Sequence, residues 1–160
     1  MDFDIVRIDE VSGPKAQIYS IIYEGEEQSL FDCFFEENID NHYEELEEIA
    51  AKLITMGKET GCRATFFTQY EGAPGDGVVA LKCEQMRLYC LRYDNTCIFV
   101  GSGGYKPPNV RAYQEYKPLD EKAQEMKRIA ACINKAIRDK DLKIMDDGTL
   151  DISEFIELKK

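Results

Sequence analysis

The 160-residue chain has no tryptophan and one histidine, His42. None of its six cysteines (Cys33, Cys62, Cys83, Cys90, Cys97 and Cys132) forms a C-x-x-C pair. A zinc site needs clustered ligands at short spacing, so this pattern excludes a sequence-encoded zinc motif and no metal is expected. The same cysteines read as reduced, mostly buried thiols of a cytoplasmic protein. No apolar run reaches the roughly 18 residues of a membrane span. The start "MDFDIVRIDE" lacks an apolar signal core, so the expected location is the cytoplasm, with no membrane partner. There is no internal repeat and no low-complexity segment.

One sign of charge is missing over a long stretch. Between Glu24 and Glu48 there are eleven acids and no lysine or arginine. Between Val78 and Pro118 the balance reverses, with six bases against three acids, although the whole chain carries −11. Distant repulsion opposes docking of such a protein on nucleic acid. Screening removes most of that field beyond about 8 Å, so a local basic patch still holds a phosphate.

Two motif-like stretches fail their chemistry. "DDGTLDISEF" resembles a calcium loop, but alignment on Gly148 puts Lys143 and Met145 at the first and third ligand positions. "GSGGYKPP" resembles a phosphate cradle, but Pro107 and Pro108 forbid the helix that a P-loop opens directly after its glycines. No cofactor is expected. The glycines instead let a strand end bend, displaying Lys106 and Arg111.

Length suits one domain over 1–160. "FDIVRI" and "AQIYSIIYE" read as strands. Ser29 with Asp32 three residues on caps a short helix over Leu30, Phe31, Phe34 and Phe35. Apolar residues from Tyr43 to Met56 recur at helical spacing, predicting a helix over 42–59 restarted at Asp40 or Asn41 and ended by Gly61. Its other face is acidic, a solvated surface or a docking face for a basic partner. "CRATFFTQY" is partly extended. "VVALKC", "MRLYCLRY" and "CIFVGS" predict an antiparallel meander, with Asp94-Asn95 in left-handed backbone at the second turn. A helix capped by Asp120 follows over 119–138, then a hairpin turn at Asp147-Gly148.

Strand alternation turns Lys82 away from Leu81 and Cys83, and predicts that Arg87 and Tyr89 point outward. Arg92 falls opposite Arg87 by strict alternation. Lys106 lies just past the third strand. Neighbouring strands are about 4.8 Å apart, so cations from three of them can converge on one sheet face.

The order strand, helical hairpin, three-strand meander, terminal helix over Ala16–Arg138 resembles the RelE/ParE/HigB superfamily of toxin-antitoxin toxins. The stretches "HYEELEEIAAKLITMGKETG" and "GVVALKCEQMRLYCLRYDNTCIFVGSGGYKPP" carry the similarity. The resemblance implies an α+β fold with N-terminal strands, a helical hairpin, an antiparallel three-strand meander completing one sheet and a C-terminal helix; the chain departs from the compact members in an extra front strand and a short acidic tail over 139–160. It implies a metal-independent, mRNA-cleaving ribonuclease at the ribosome, neutralised by a cognate antitoxin. In that chemistry a 2′-hydroxyl attacks the adjacent phosphate, which needs a base, an acid and cations. By match to the family pattern Lys82 is the base and Arg87 the phosphate clamp. Lys106 and Arg111 stabilise charge or act as acid, while Arg92 and Tyr105 contact substrate, Tyr105 by stacking. The resemblance equally allows a ParE-like gyrase poison, and the acidic helical hairpin motivates a further alternative, a catalytically degenerate scaffold acting as an acidic protein-binding module.

Overall fold

The computed structural model describes residues 3–69, 76–110 and 116–151. The elements run β1 (Phe3–Arg7), β2 (Gln17–Tyr23), α1 (Leu30–Asn38), α2 (Tyr43–Thr55), β3 (Phe67–Gln69), β4 (Val78–Cys83), β5 (Met86–Asp94), β6 (Cys97–Tyr105), α3 (Lys117–Arg138), β7 (Lys143–Ile144) and β8 (Leu150–Asp151). The fold is α+β. One mixed sheet takes the order β1-β2-β6-β5-β4-β3. Its neighbours are antiparallel except β2 and β6, which run parallel with Gln17 opposite Cys97 and Tyr19 opposite Phe99.

Helices cover both faces of this sheet. Leu81, Met86, Leu88, Cys90, Ile98 and Val100 pack with Phe34, Leu46, Ile49 and Leu53 of α1 and α2. The alternate residues Val78, Ala80, Tyr89, Leu91 and Phe99 pack with Leu119, Ala123, Met126, Ile129 and Ile133 of α3. Arg87 and Tyr89 therefore do not point to solvent as alternation predicts. They face α3, and their exposures are 9 % and 2 %. A strand covered on both sides reads as a continuous apolar run, and "LYCL" over Leu88–Leu91 is such a run, flanked by Arg87 and Arg92.

The ends of the elements follow local chemistry. At the start of α1, Ser29 and Asp32 form the predicted capping box. The second helix starts one residue after His42, whose side chain makes no capping bond, rather than from Asp40 or Asn41. Beyond Thr55 it widens into a π turn over Met56–Thr60. There the Gly57 carbonyl accepts the Lys15 and Ala16 N–H groups at 2.8 and 3.2 Å. A Cβ on Gly57 would stand 1.9 Å from the Val11 carbonyl oxygen, so only glycine fits. The third helix starts at Lys117, with Asp120 in its first turn and no side-chain cap. It ends with Lys140 at φ 65, where the Asp141 N–H reaches the Ala136 carbonyl at 2.9 Å and the Lys140 N–H reaches Ile137 at 3.1 Å. That is a Schellman closure with lysine in the usual glycine position.

The meander turns differ from each other. Glu84 and Gln85 join β4 to β5, with Glu84 at φ 54. Between β5 and β6 the expected left-handed Asn95 is absent. Instead the Asp94 carboxylate accepts the Thr96 N–H and hydroxyl, both at 2.7 Å, and holds the turn by its side chain. The β7–β8 hairpin forms at the predicted turn, and the Tyr19 hydroxyl donates to the Gly148 carbonyl at 2.9 Å.

Along β6 the register slips: Leu88 opposes Gly103 while Cys90 opposes Val100, leaving one extra β6 residue between. This β-bulge brings the backbones so close that a Cβ on Gly103 would lie 1.8 Å from the Arg87 carbonyl oxygen. At Gly104 the nearest atom to a Cβ is Leu119 Cδ1 at 3.8 Å, an ordinary contact. Gly103→Ala is thus expected to cost about 3 kcal/mol, lowering the melting temperature by roughly 6–12 °C. Gly104→Ala should stay within about 1 kcal/mol of the parent. Thermal unfolding of the two variants checks this, and equal melting temperatures would contradict the bulge geometry.

Candidate functional site

The meander brings part of the predicted cation set together. Lys82 and Arg87 are direct cross-strand partners on the α3 face, and Gly104 opposes Arg87 on its other side. Lys106 continues the pairing past β6, its N–H donating to the Gln85 carbonyl at 2.8 Å. These three residues thus share one end of the sheet. Their charged ends have different surroundings. The Arg87 guanidinium is buried, with Nη1 donating to the Glu84 and Met86 carbonyls at 2.8 and 3.0 Å. Lys106 Nζ donates to the Val110 carbonyl at 2.6 Å. Lys82 is exposed. Arg111 lies outside the described residues.

Arg92 and Tyr105 sit elsewhere. Arg92 Nε donates to the Cys62 carbonyl at 2.8 Å and Nη2 to Asn95 Oδ1 at 2.7 Å, which pins the segment after α2 to the β5–β6 turn. Tyr105 opposes Met86 and faces the α1–α2 side. Its ring stacks on His42 with centroids 4.7 Å apart and planes 13° from parallel.

That stack forms one wall of an acidic hollow of about 380 Å³ at the start of α2 and the β4–β5 turn. Glu44, Glu45 and Glu48 line it from α2, and Glu84 from the turn. Glu45 Oε2 stands 3.3 Å from His42 Nδ1. Glu48 Oε2 accepts a hydrogen bond from the buried Cys83 thiol at 2.7 Å. Among the described residues, no lysine or arginine is in the lining; Lys52 turns aside, its Nζ donating to the Lys82 carbonyl at 3.1 Å. Among the described residues, no group of three or more His, Cys, Asp or Glu is arranged to hold a metal.

Carboxylates beside a stacked aromatic pair suit an organic cation. A guanidinium or ammonium gains charge-assisted hydrogen bonds from the glutamates and the π-face attraction of an aromatic ring. The acidic run and Tyr105 are visible in the sequence as separate features. Their meeting is not, because it depends on the hairpin at Glu84-Gln85 and on His42 turning its ring onto a residue sixty-three positions away in the chain. The one usable signal is the lone histidine placed where α2 begins.

The thiols record how dry the sheet is. Burial first, then the Glu48 hydrogen bond, pushes the Cys83 thiol up to about 12. Burial pushes Cys62 up to about 11 and raises Cys90, Cys97 and Tyr93 further. A group whose folded pKa lies above its unfolded value holds its proton more tightly when folded. Its contribution is complete below the unfolded value, 9.0 for cysteine, and is lost as pH rises toward the folded one. The denaturant midpoint should therefore hold up to about pH 8.5 and fall between about pH 9 and 12. A midpoint unchanged to pH 12 would show that these thiols are not shielded. Comparison with protein-family models, with curated proteins and with solved structures finds no match.

Proposed function

We propose that the protein is a non-catalytic binding module whose acidic face takes up a basic segment of a partner protein. One observation carries this reading: four glutamates surround a hollow walled by the His42–Tyr105 stack, with no lysine or arginine among the described residues of its lining. Eight further acids between Glu24 and Glu47 add to the same sign of charge and would steer a basic partner toward it. Arg87, the clamp that phosphate chemistry requires, is instead buried against two carbonyls of its own turn. Arginine is the better occupant than lysine, because its planar fork meets two carboxylate oxygens at once.

Fluorescence anisotropy with an arginine-rich peptide tests the reading. Binding should weaken steeply between about 0.05 and 0.5 M salt. Replacing Glu44 and Glu48 together by glutamine should raise Kd about tenfold or more, since hydrogen bonds to charged groups contribute about 1.5–3 kcal/mol. If an acidic peptide of equal length binds as well, or if salt has no effect, the module reading fails.

A second reading has its own support. The cross-strand pair Lys82–Arg87, with Lys106 at the same sheet end, favours a RelE/HigB-like toxin that cleaves ribosome-bound mRNA and is held by a cognate antitoxin. Exposed Lys82 is the residue to change, since Lys82→Ala leaves the core intact. On this reading the protein arrests a translation extract and Lys82→Ala lowers the arrest rate at least a hundredfold. Absence of arrest, or equal arrest by both proteins, excludes it. A gyrase poison would instead show as cleaved supercoiled DNA with translation untouched.

A further inference from the structure

The two helical layers carry opposite charge. Between Leu30 and Thr55, spanning α1 and α2, there are eight acids and one base. Over Lys117–Arg138, the length of α3, there are six bases and three acids. The sheet lies between α2 and α3, so their acidic and basic outer faces look in opposite directions, while α1 meets α3 where Lys122 Nζ stands 3.4 Å from Glu37 Oε1.

Each layer also exposes a stripe that suits a helix. On α2, Tyr43, Glu47, Ala51 and Ile54 fall at helical spacing, and Tyr43 and Ile54 are 57 % and 40 % exposed. On α3, Arg128, Ala131, Lys135 and Arg138 are all exposed at the same spacing. A small residue in each stripe lets two axes approach toward the lower end of the usual 8–10 Å range. Lys135 is partly neutralised by Asp139 at 2.6 Å, so Arg128 and Arg138 carry most of the outward charge.

We propose that copies of this chain associate head to tail, the acidic α2 face of one docking on the basic outer face of α3 of the next. The occupant of the α2 stripe is a second copy because its electrostatic complement is on the same molecule, turned to the far side. Such a contact is heterologous: the two surfaces differ, and the assembly extends until a rotation closes it. The net charge of −11 on every copy opposes approach at long range. At about 0.01 M salt the screening length is about 30 Å and that repulsion dominates; at about 0.15 M it is about 8 Å and the facing charges prevail. At about 1 M the contact pairs weaken as well. Association therefore peaks at intermediate salt.

Sedimentation equilibrium of the full chain, across salt and concentration, tests this. The weight-average mass should exceed the monomer mass most clearly near 0.15 M salt. Glu47→Arg alone and Arg128→Glu alone should each lower the association constant about tenfold or more, with unchanged circular dichroism. A one-to-one mixture of the two variants should restore association, because the reversed α2 face of one then meets the reversed α3 face of the other. A monomer at every salt overturns the proposal, as do single variants that associate like the parent. A mixture no better than its components overturns it too, since that marks a contact without α2-to-α3 polarity. The proposal is separate from uptake of a basic segment: Arg128→Glu should leave the arginine-peptide affinity unchanged, so either idea can fail alone.

Discussion

Burial of β5 and β6 on both faces is the constraint from which the rest of the architecture follows. Every residue from Met86 to Leu91 and from Cys97 to Ser102 is buried, so these strands have no wet side. Leaving a polar group unpaired in such a dry setting costs several kcal/mol, and the Ser102 Oγ of β6 is left so. Arg87 avoids that cost with the carbonyls of Glu84 and Met86. Ser20 avoids it from β2, its hydroxyl donating to the Val100 carbonyl at 2.7 Å and accepting the Phe31 N–H at 3.2 Å. Exposed charge is displaced to helix surfaces and to the ends of the sheet.

One of those ends does two jobs through a single turn. Glu84 offers its carbonyl to Arg87 on the α3 side and its carboxylate to the hollow beside α2. Its left-handed backbone directs the two groups apart. The same turn accepts the Lys106 N–H at Gln85, which ties the end of β6 to it and fixes Tyr105 opposite Met86. The aromatic wall of the hollow and the anchoring of Arg87 are thus two consequences of one short hairpin. The carboxylates on α2 cost little in structural terms, since they ride on a helix whose other face is held by Leu46, Ile49 and Leu53.

Much of this was legible in the sequence, for reasons that can be named. The helices were visible because apolar residues recur at helical spacing, and α1 because Ser29 and Asp32 announce its start. The meander was visible because turn residues punctuate apolar runs. The direction of Arg87 and Tyr89 was not, because alternation assumes one wet face, and here α3 covers it. The Asp94 turn was misjudged in conformation because an aspartate can close a turn by its side chain as well as by a positive φ. In the candidate site, the partnership of Lys82 and Arg87 follows from a two-residue hairpin and was accessible. The pairing of His42 with Tyr105 joins α2 to the last strand, and no local pattern encodes it. Nor does spacing reveal that Arg92 ties down the Cys62 carbonyl.

The parallel seam between β2 and β6 has a consequence for how the molecule is made. The contact from Ser20 to Val100 spans eighty residues, so the sheet cannot close while that chain is still emerging from the ribosome. Long-range pairings of this kind slow folding, since a large loop must be closed before any contact rewards it. Until β6 arrives, β2 has an open hydrogen-bonding edge and β5 an apolar one. During synthesis the nascent chain is therefore most prone to mispairing, and most in need of a chaperone's shelter, in the interval before Val100 clears the exit tunnel.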